Sequence, residues 1–157
     1  MIYKYTEEEI KNRVNIASGV LFKNDSFLLE NNVHERSIAY KLAEYLQVQF
    51  LDLNVDIEYN LKGLDTKLLN GIRQCSKQRA TDRVLPDIII HKRDTNYNLL
   101  VVEIKTNNQD DTCDIEKLKL FTTNNGDYKY VLGLFIKFNK RNNPSMRWFK
   151  NGNEEQN

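Results

Sequence analysis

Asp87, Glu103 and Lys105 are the residues of this chain whose types and spacing could do chemistry. They stand at the ends of two apolar runs joined by a polar turn. The first run reads Pro86-Asp87-Ile88-Ile89-Ile90-His91-Lys92 and the second Leu99-Leu100-Val101-Val102-Glu103-Ile104-Lys105, with Arg93 to Asn98 between them. Apolar, β-branched runs around a turn rich in Asp and Asn predict a strand-turn-strand hairpin. Side chains alternate along a strand, so Glu103 and Lys105 share one face with Val101, while Leu100, Val102 and Ile104 share the other. Antiparallel pairing brings Asp87 almost opposite Ile104, between the acid and the lysine. A hard cation such as magnesium takes oxygen ligands and is commonly held by one or two carboxylates plus water and substrate phosphate. Asp87 and Glu103 supply that pair, and the Ile104 backbone carbonyl adds a third oxygen. A metal so held lowers the pKa of bound water and stabilises charge growing on a phosphodiester. Lys105 can orient the attacking water and neutralise the phosphate. To act as a general base it needs a pKa well below its reference of about 10.4.

The elements that must position these residues follow from periodicity. Thr6 and Glu9 form a capping-box signature ahead of Ile10, Val14, Ala17 and Leu21 at helical spacing, which predicts a helix over roughly 7–22. A second helix spans 33–49, with Ile38, Ala39, Leu42, Ala43 and Leu46 along one side. Glu35 opens its core-facing stripe, either as a charge favouring the helix dipole or as part of a site. Alternation in Val55-Asp56-Ile57-Glu58-Tyr59 predicts a half-buried strand. Residues 60–85 are polar and basic and predict a helical turn near Thr66 to Gln74 within a long connection. Asp110, Asp111 and Asp114 precede or open a helix over 112–121, where acids suit the helix start. Residues 128–138 are too continuously apolar for a one-sided strand and predict a central strand buried on both faces. Beyond it, Trp148 and Phe149 dock the tail, and 151–157 is expected to be disordered. The expected fold is α/β, a mixed central sheet flanked by helices. It forms one domain over 1–150, with an N-terminal helical extension over about 1–30.

Composition removes several function classes. The chain has 157 residues, 40% hydrophobic and 29% charged, which suits one globular domain. Lys and Arg number 23 against 22 Asp and Glu, so a nucleic-acid site must be a local patch rather than a global positive field. Cys75 and Cys113 lack any zinc-ligand spacing and read as free thiols of a reducing compartment. No signal pattern opens the chain and no apolar run approaches the ~20 residues of a membrane span, so a cytoplasmic protein with no membrane partner is expected. The sequence contains no Gly-rich phosphate loop, no HExxH and no evident Ser/His/Asp set.

Pro86-Asp87, an apolar spacer and Glu103-Ile104-Lys105 together resemble the PD-(D/E)xK motif of the restriction endonuclease-like nuclease superfamily, including its small bacterial members. The resemblance implies a core of one helix, three antiparallel strands, a helix and a further strand, to which the order from Val33 to Phe138 is similar. It implies a Mg2+- or Mn2+-dependent endo- or exonuclease that hydrolyses phosphodiester bonds, in DNA above all. Asp87 and Glu103 would bind the metal with the Ile104 carbonyl, Lys105 would position water, and Glu35, in Val33-His34-Glu35-Arg36, would add a carboxylate from the preceding helix. Two copies could pair as a homodimer to cut both strands.

Each residue also has a plainer role. Asp87, Glu103 and Lys105 could form a surface ion pair, which contributes little. His34 suits a helix cap, and Glu58 a solvated strand face. Arg73, Lys77, Arg79 and Arg83 either grip phosphate backbone beside the site or are simply solvated. The alternative function is a catalytically inactive nuclease-like module that binds nucleic acid or regulates a partner. A third reading is an α/β interaction protein.

Overall fold

The computed structural model describes residues 4–31, 33–59, 61–62, 65–66, 85–106, 110–140 and 143–156. At its centre the two apolar runs form β4 (Ile88–His91) and β5 (Asn98–Lys105), whose interior residues are buried on both faces. They pair antiparallel, Ile88 with Val102, Ile89 with Val101 and Ile90 with Leu100, and the register shifts at His91. On one side β1 (Asn54–Ile57) pairs antiparallel with β4. On the other, β6 (Leu132–Lys137) runs parallel to β5, so the chain must cross over between them, and α4 (Thr112–Thr122) makes that crossing. The strands β7 (Ser145–Lys150) and β8 (Asn153–Glu154) continue antiparallel, giving a six-stranded mixed sheet ordered β1-β4-β5-β6-β7-β8. The short strands β2 (Leu61–Lys62) and β3 (Asp65–Thr66) form a separate pair.

Helices cover both faces, as expected of an α/β protein. The helix α1 (Glu7–Asn24) starts at the predicted capping box, with Thr6 and Glu9 each bonding the other's backbone. A single turn of helix, α2 (Ser26–Glu30), leads to α3 (Glu35–Gln49). Ile10, Val14 and Leu21 of α1 and Ile38, Leu42 and Leu46 of α3 pack onto Ile88, Ile90, Leu100, Val102 and Ile104. The opposite strand faces, Ile89, Val101, Phe135 and Phe149, meet Ile115, Leu118 and Phe121 of α4. Because parity assigns Glu103 to the Val101 face, its carboxylate lies under α4.

Several expectations are corrected. Tyr59 does not extend the first strand: β1 ends at Ile57, and Glu58 takes a left-handed backbone with φ of 48°. Thr66, the expected start of a helical turn, lies in β3, and the rest of that turn, 67–74, lies outside the described residues. The segment expected to be a disordered tail instead turns at Asn151-Gly152, with Gly152 at φ 80°, and returns as β8. Cys113 is disulfide-bonded rather than free, and a disulfide belongs to oxidising surroundings, so the thiols no longer support a cytoplasmic location. Among the described residues, no helix is long and apolar enough to cross a membrane.

Candidate functional site

The site begins with Pro86. One step beyond the Ile88–Val102 pair sets Asp87 opposite Glu103, one residue from where the sequence reading put it, and a second sets Pro86 opposite Ile104. In a regular ladder Ile104 would exchange two hydrogen bonds with the residue facing it, but proline has no N–H to donate. The Ile104 N–H is taken by the side chain of Asp87, whose Oδ2 accepts it at 2.7 Å. A strand residue directs its N–H and C=O toward the same edge, so the Ile104 carbonyl points to the Asp87 side. The neighbouring Lys105 carbonyl points the other way and accepts from Phe138 N at 2.8 Å. Pro86 therefore leaves a carbonyl beside Asp87 without its ladder donor.

Glu103 is 2% exposed, and its Oε1 has no hydrogen-bond partner among the described residues. Its Oε2 lies 3.3 Å from the Lys117 Nζ on α4. Lys117 also meets Asp114 Oδ1 at 3.0 Å, while Asp114 Oδ2 meets the Lys105 Nζ at 3.0 Å. Two carboxylates and two ammonium groups thus alternate across the α4–β5 contact. Burial pushes the Glu103 carboxyl well above its ordinary range, against the opposing pull of Lys117. Burial likewise lifts Asp87 to about 6, although its bond from Ile104 N works in the other direction. For Lys105, burial favours the neutral amine, but the hydrogen bond and charge of Asp114 outweigh it and hold the ammonium above its usual pKa. Lys105 is consequently a fixed cation and not the general base that a lowered pKa would have allowed.

Glu35 does reach the end of β5 from the first turn of α3, where its Oε1 accepts from Thr106 N at 3.1 Å and lies 3.4 Å from Thr106 Oγ1. One of its oxygens thereby fixes the backbone just after Lys105. Among the described residues, no three His, Cys, Asp or Glu side chains converge as a metal-ligand set, so Glu35 does not join Asp87 and Glu103 in a three-carboxylate cluster. The donors that do come together, two buried or half-buried carboxylates and a carbonyl, are hard oxygen ligands that suit Mg2+ or Mn2+. The buried Glu103 Oε1, which has no protein donor among the described residues, is an oxygen that a cation could satisfy.

The plainer roles hold at several positions. His34 caps α3, its Nδ1 accepting from Arg36 N at 3.4 Å. Glu58, past the end of β1 and so not on a strand face, pairs with Arg36 at 2.8 Å at the surface. Asp110 bonds Thr112 N at 3.0 Å, and Asp111 pairs with Arg147 at 3.3 Å. Asp114, a helix-start acid by its sequence position, and Lys117, which carries no sequence signal of its own, both belong to the site. For Asp114 the signal was available: Asp114 and Leu118 lie four residues apart on the stripe that faces the sheet. Arg73, Lys77, Arg79 and Arg83 lie outside the described residues. No protein-family model matches the chain, and no curated protein matches it either.

Proposed function

We propose that the protein is a Mg2+- or Mn2+-dependent phosphodiester hydrolase acting on DNA, with a restriction endonuclease-like core. The observation that carries this reading is a buried Glu103 Oε1 with no partner among the described residues, on the residue that register sets opposite Asp87, beside a lysine fixed as a cation. The element order supports it as well: α3, three antiparallel strands, α4 and a parallel strand follow in the sequence that the PD-(D/E)xK resemblance implies.

In this reading Asp87, Glu103 and the Ile104 carbonyl would hold the ion. Once bound, the metal would supply a more acidic water and an opposite charge for the phosphoryl oxygens. The chain's own residues do the positioning. Ile104 N–H locks the Asp87 carboxylate, and Asp114 holds the Lys105 Nζ with its proton in place. From there Lys105 donates to the scissile phosphate or to the attacking water, stabilising charge that grows in the transition state. Glu35 fixes the turn at Thr106 and so the direction of the Lys105 side chain.

Lys105→Ala should leave the Mn2+ affinity within about threefold of wild type while lowering cleavage by ~100-fold or more, the usual loss when one donor to a developing anion is removed. Calorimetry and cleavage of linear, supercoiled and single-stranded DNA measure the two effects. Equal loss of both would remove Lys105 from its assigned role. If metal binds and no substrate is cut with any divalent cation, the inactive binding module is the better description.

A further inference from the structure

On the sheet face opposite α4, between α1 and β7, lies a cavity of about 480 Å3 lined by Asn15, Ser18, Phe22, Asn143, Met146 and Trp148 among others. That volume lies within the range of small-molecule sites. No charged side chain among the described residues lines it. Ser18 is 3% exposed, and its Oγ has no hydrogen-bond partner among the described residues. A helical serine usually returns its hydroxyl to the preceding turn, so a buried one without a partner is a donor and acceptor kept for something else. Beside it, a Cβ built on Gly19 would meet nothing within 4 Å, so α1 leaves open space where most residues would fill it.

The walls define the occupant. An indole, a phenyl ring and a thioether favour a flat, polarisable ring. Two asparagine amides and an unpartnered hydroxyl favour a ring with donors and acceptors on its edge. The lack of charge among the described lining residues favours a neutral group. A nucleobase meets all three requirements, since any base can stack on an aromatic face and asparagine pairs with base edges.

Register connects the cavity with the candidate site. Ser145 pairs with Lys137, which pairs with Lys105, and Met146 stands level with Ile136 and Ile104. The cavity's β7 wall is therefore two strands from Lys105 at the same end of the sheet, an offset of roughly 10 Å in the plane of the sheet at the usual strand spacing, and it lies on the opposite face, so a strand serving both must pass around that end. Lys137 stands on the strand between them. Resting on the hydrolase reading above, we propose that this cavity receives an unpaired nucleobase of the strand whose phosphodiester lies at Asp87 and Glu103, so that the substrate is single-stranded DNA. A base stacked and paired in a duplex cannot enter it without leaving the helix.

Trp148, the chain's only tryptophan, lines the cavity and also packs against Lys11, so its fluorescence reports on the cavity and its immediate surroundings. The full chain, held in EDTA, is titrated with a twelve-residue oligothymidylate and with its duplex. Expected are a saturable quench by the single strand, at least tenfold weaker binding of the duplex, and a quench retained in Asp87→Ala with Glu103→Ala. Gly19→Leu, which fills the open space, should weaken the single strand tenfold or more. The pair Asn15→Ala with Asn143→Ala, both at exposed positions, should weaken it about fivefold and serves if Gly19→Leu fails to fold. Absence of a saturable quench, or a quench unchanged in the folded variants, overturns the cavity's role. Cleavage in Mn2+ without any quench overturns the cavity and leaves the hydrolase standing. A quench without cleavage supports the cavity and counts against the hydrolase.

Discussion

Asp87 carries its carboxyl at about 6 when folded, against 3.8 for an ordinary aspartate. Between those values the folded state binds more protons than the unfolded one, so stability falls as pH rises from about 4 to 6 in metal-free protein. Asp87→Asn removes the ionisation and still offers an oxygen to Ile104 N. In EDTA it should stabilise the protein at pH 7 by about 1–3 kcal/mol, a gain that disappears below about pH 4. Urea unfolding at both pH values checks the sign; a stability difference that does not depend on pH would mean that Asp87 ionises as freely as in water. At this level the sequence was informative, because alternation alone put Glu103 and Lys105 on one face and Asp87 near them. It could not show that α4 lies over that face, and hence that Asp114 and Lys117 close the site. An acid in the first turn of a helix has an ordinary explanation, and only the packing of α4 on β5 turns Asp114 into the partner of Lys105.

The contact between α4 and the sheet depends on two features that can be tested separately. Lys117 is the cation nearest Glu103, and removing it leaves two acids facing each other beneath the helix. Lys117→Met should destabilise the metal-free protein by about 2–4 kcal/mol at pH 7, as when one partner of a buried pair is deleted. Much of this should return when Glu103→Gln is added, and thermal unfolding of the double-mutant cycle measures the recovery. Gly133 lets α4 approach β6: a Cβ there would lie 3.1 Å from Thr122 Cγ2 and 3.3 Å from both Leu118 Cδ2 and Phe149 Cβ. Gly133→Ala should cost about 1–2 kcal/mol by chemical denaturation, since these neighbours are branched, helical or backbone-anchored and yield little. Helices α1 and α3 and the β4–β5 hairpin were legible because caps and periodicity are local. The β7–β8 hairpin was not. Its alternation is masked by Arg147 and Lys150, and it becomes a strand pair only once Arg147 reaches Glu154 at 2.7 Å and Phe149 joins the α4 core.

Across the whole molecule, chemistry gathers at one end of the sheet. Asp87, Glu103, Lys105 and the Glu35-bound turn lie where β4 begins and β5 ends, and the β7 wall of the α1–β7 cavity begins at the same end on the other face. The opposite end of the hairpin carries a different set, in which Asp56 accepts from His91 Nε2 at 2.8 Å and from the Arg93 guanidinium, bracing the β1–β4 pair. The sequence foresaw the mixed sheet with helices on both faces, since runs buried on both sides demand cover on both sides. It could not foresee that Glu35 would turn to Thr106 rather than to the other acids, because that choice depends on where α3 crosses the end of β5. Whether the buried acids await a cation is decided by titrating Mn2+ into the metal-free protein by calorimetry. Wild type should bind with a measurable heat, with proton release below about pH 6 as Asp87 ionises, and the variant carrying Asp87→Ala and Glu103→Ala should show none. An absence of binding in wild type, or equal binding in the variant, would contradict the metal site and with it the hydrolase.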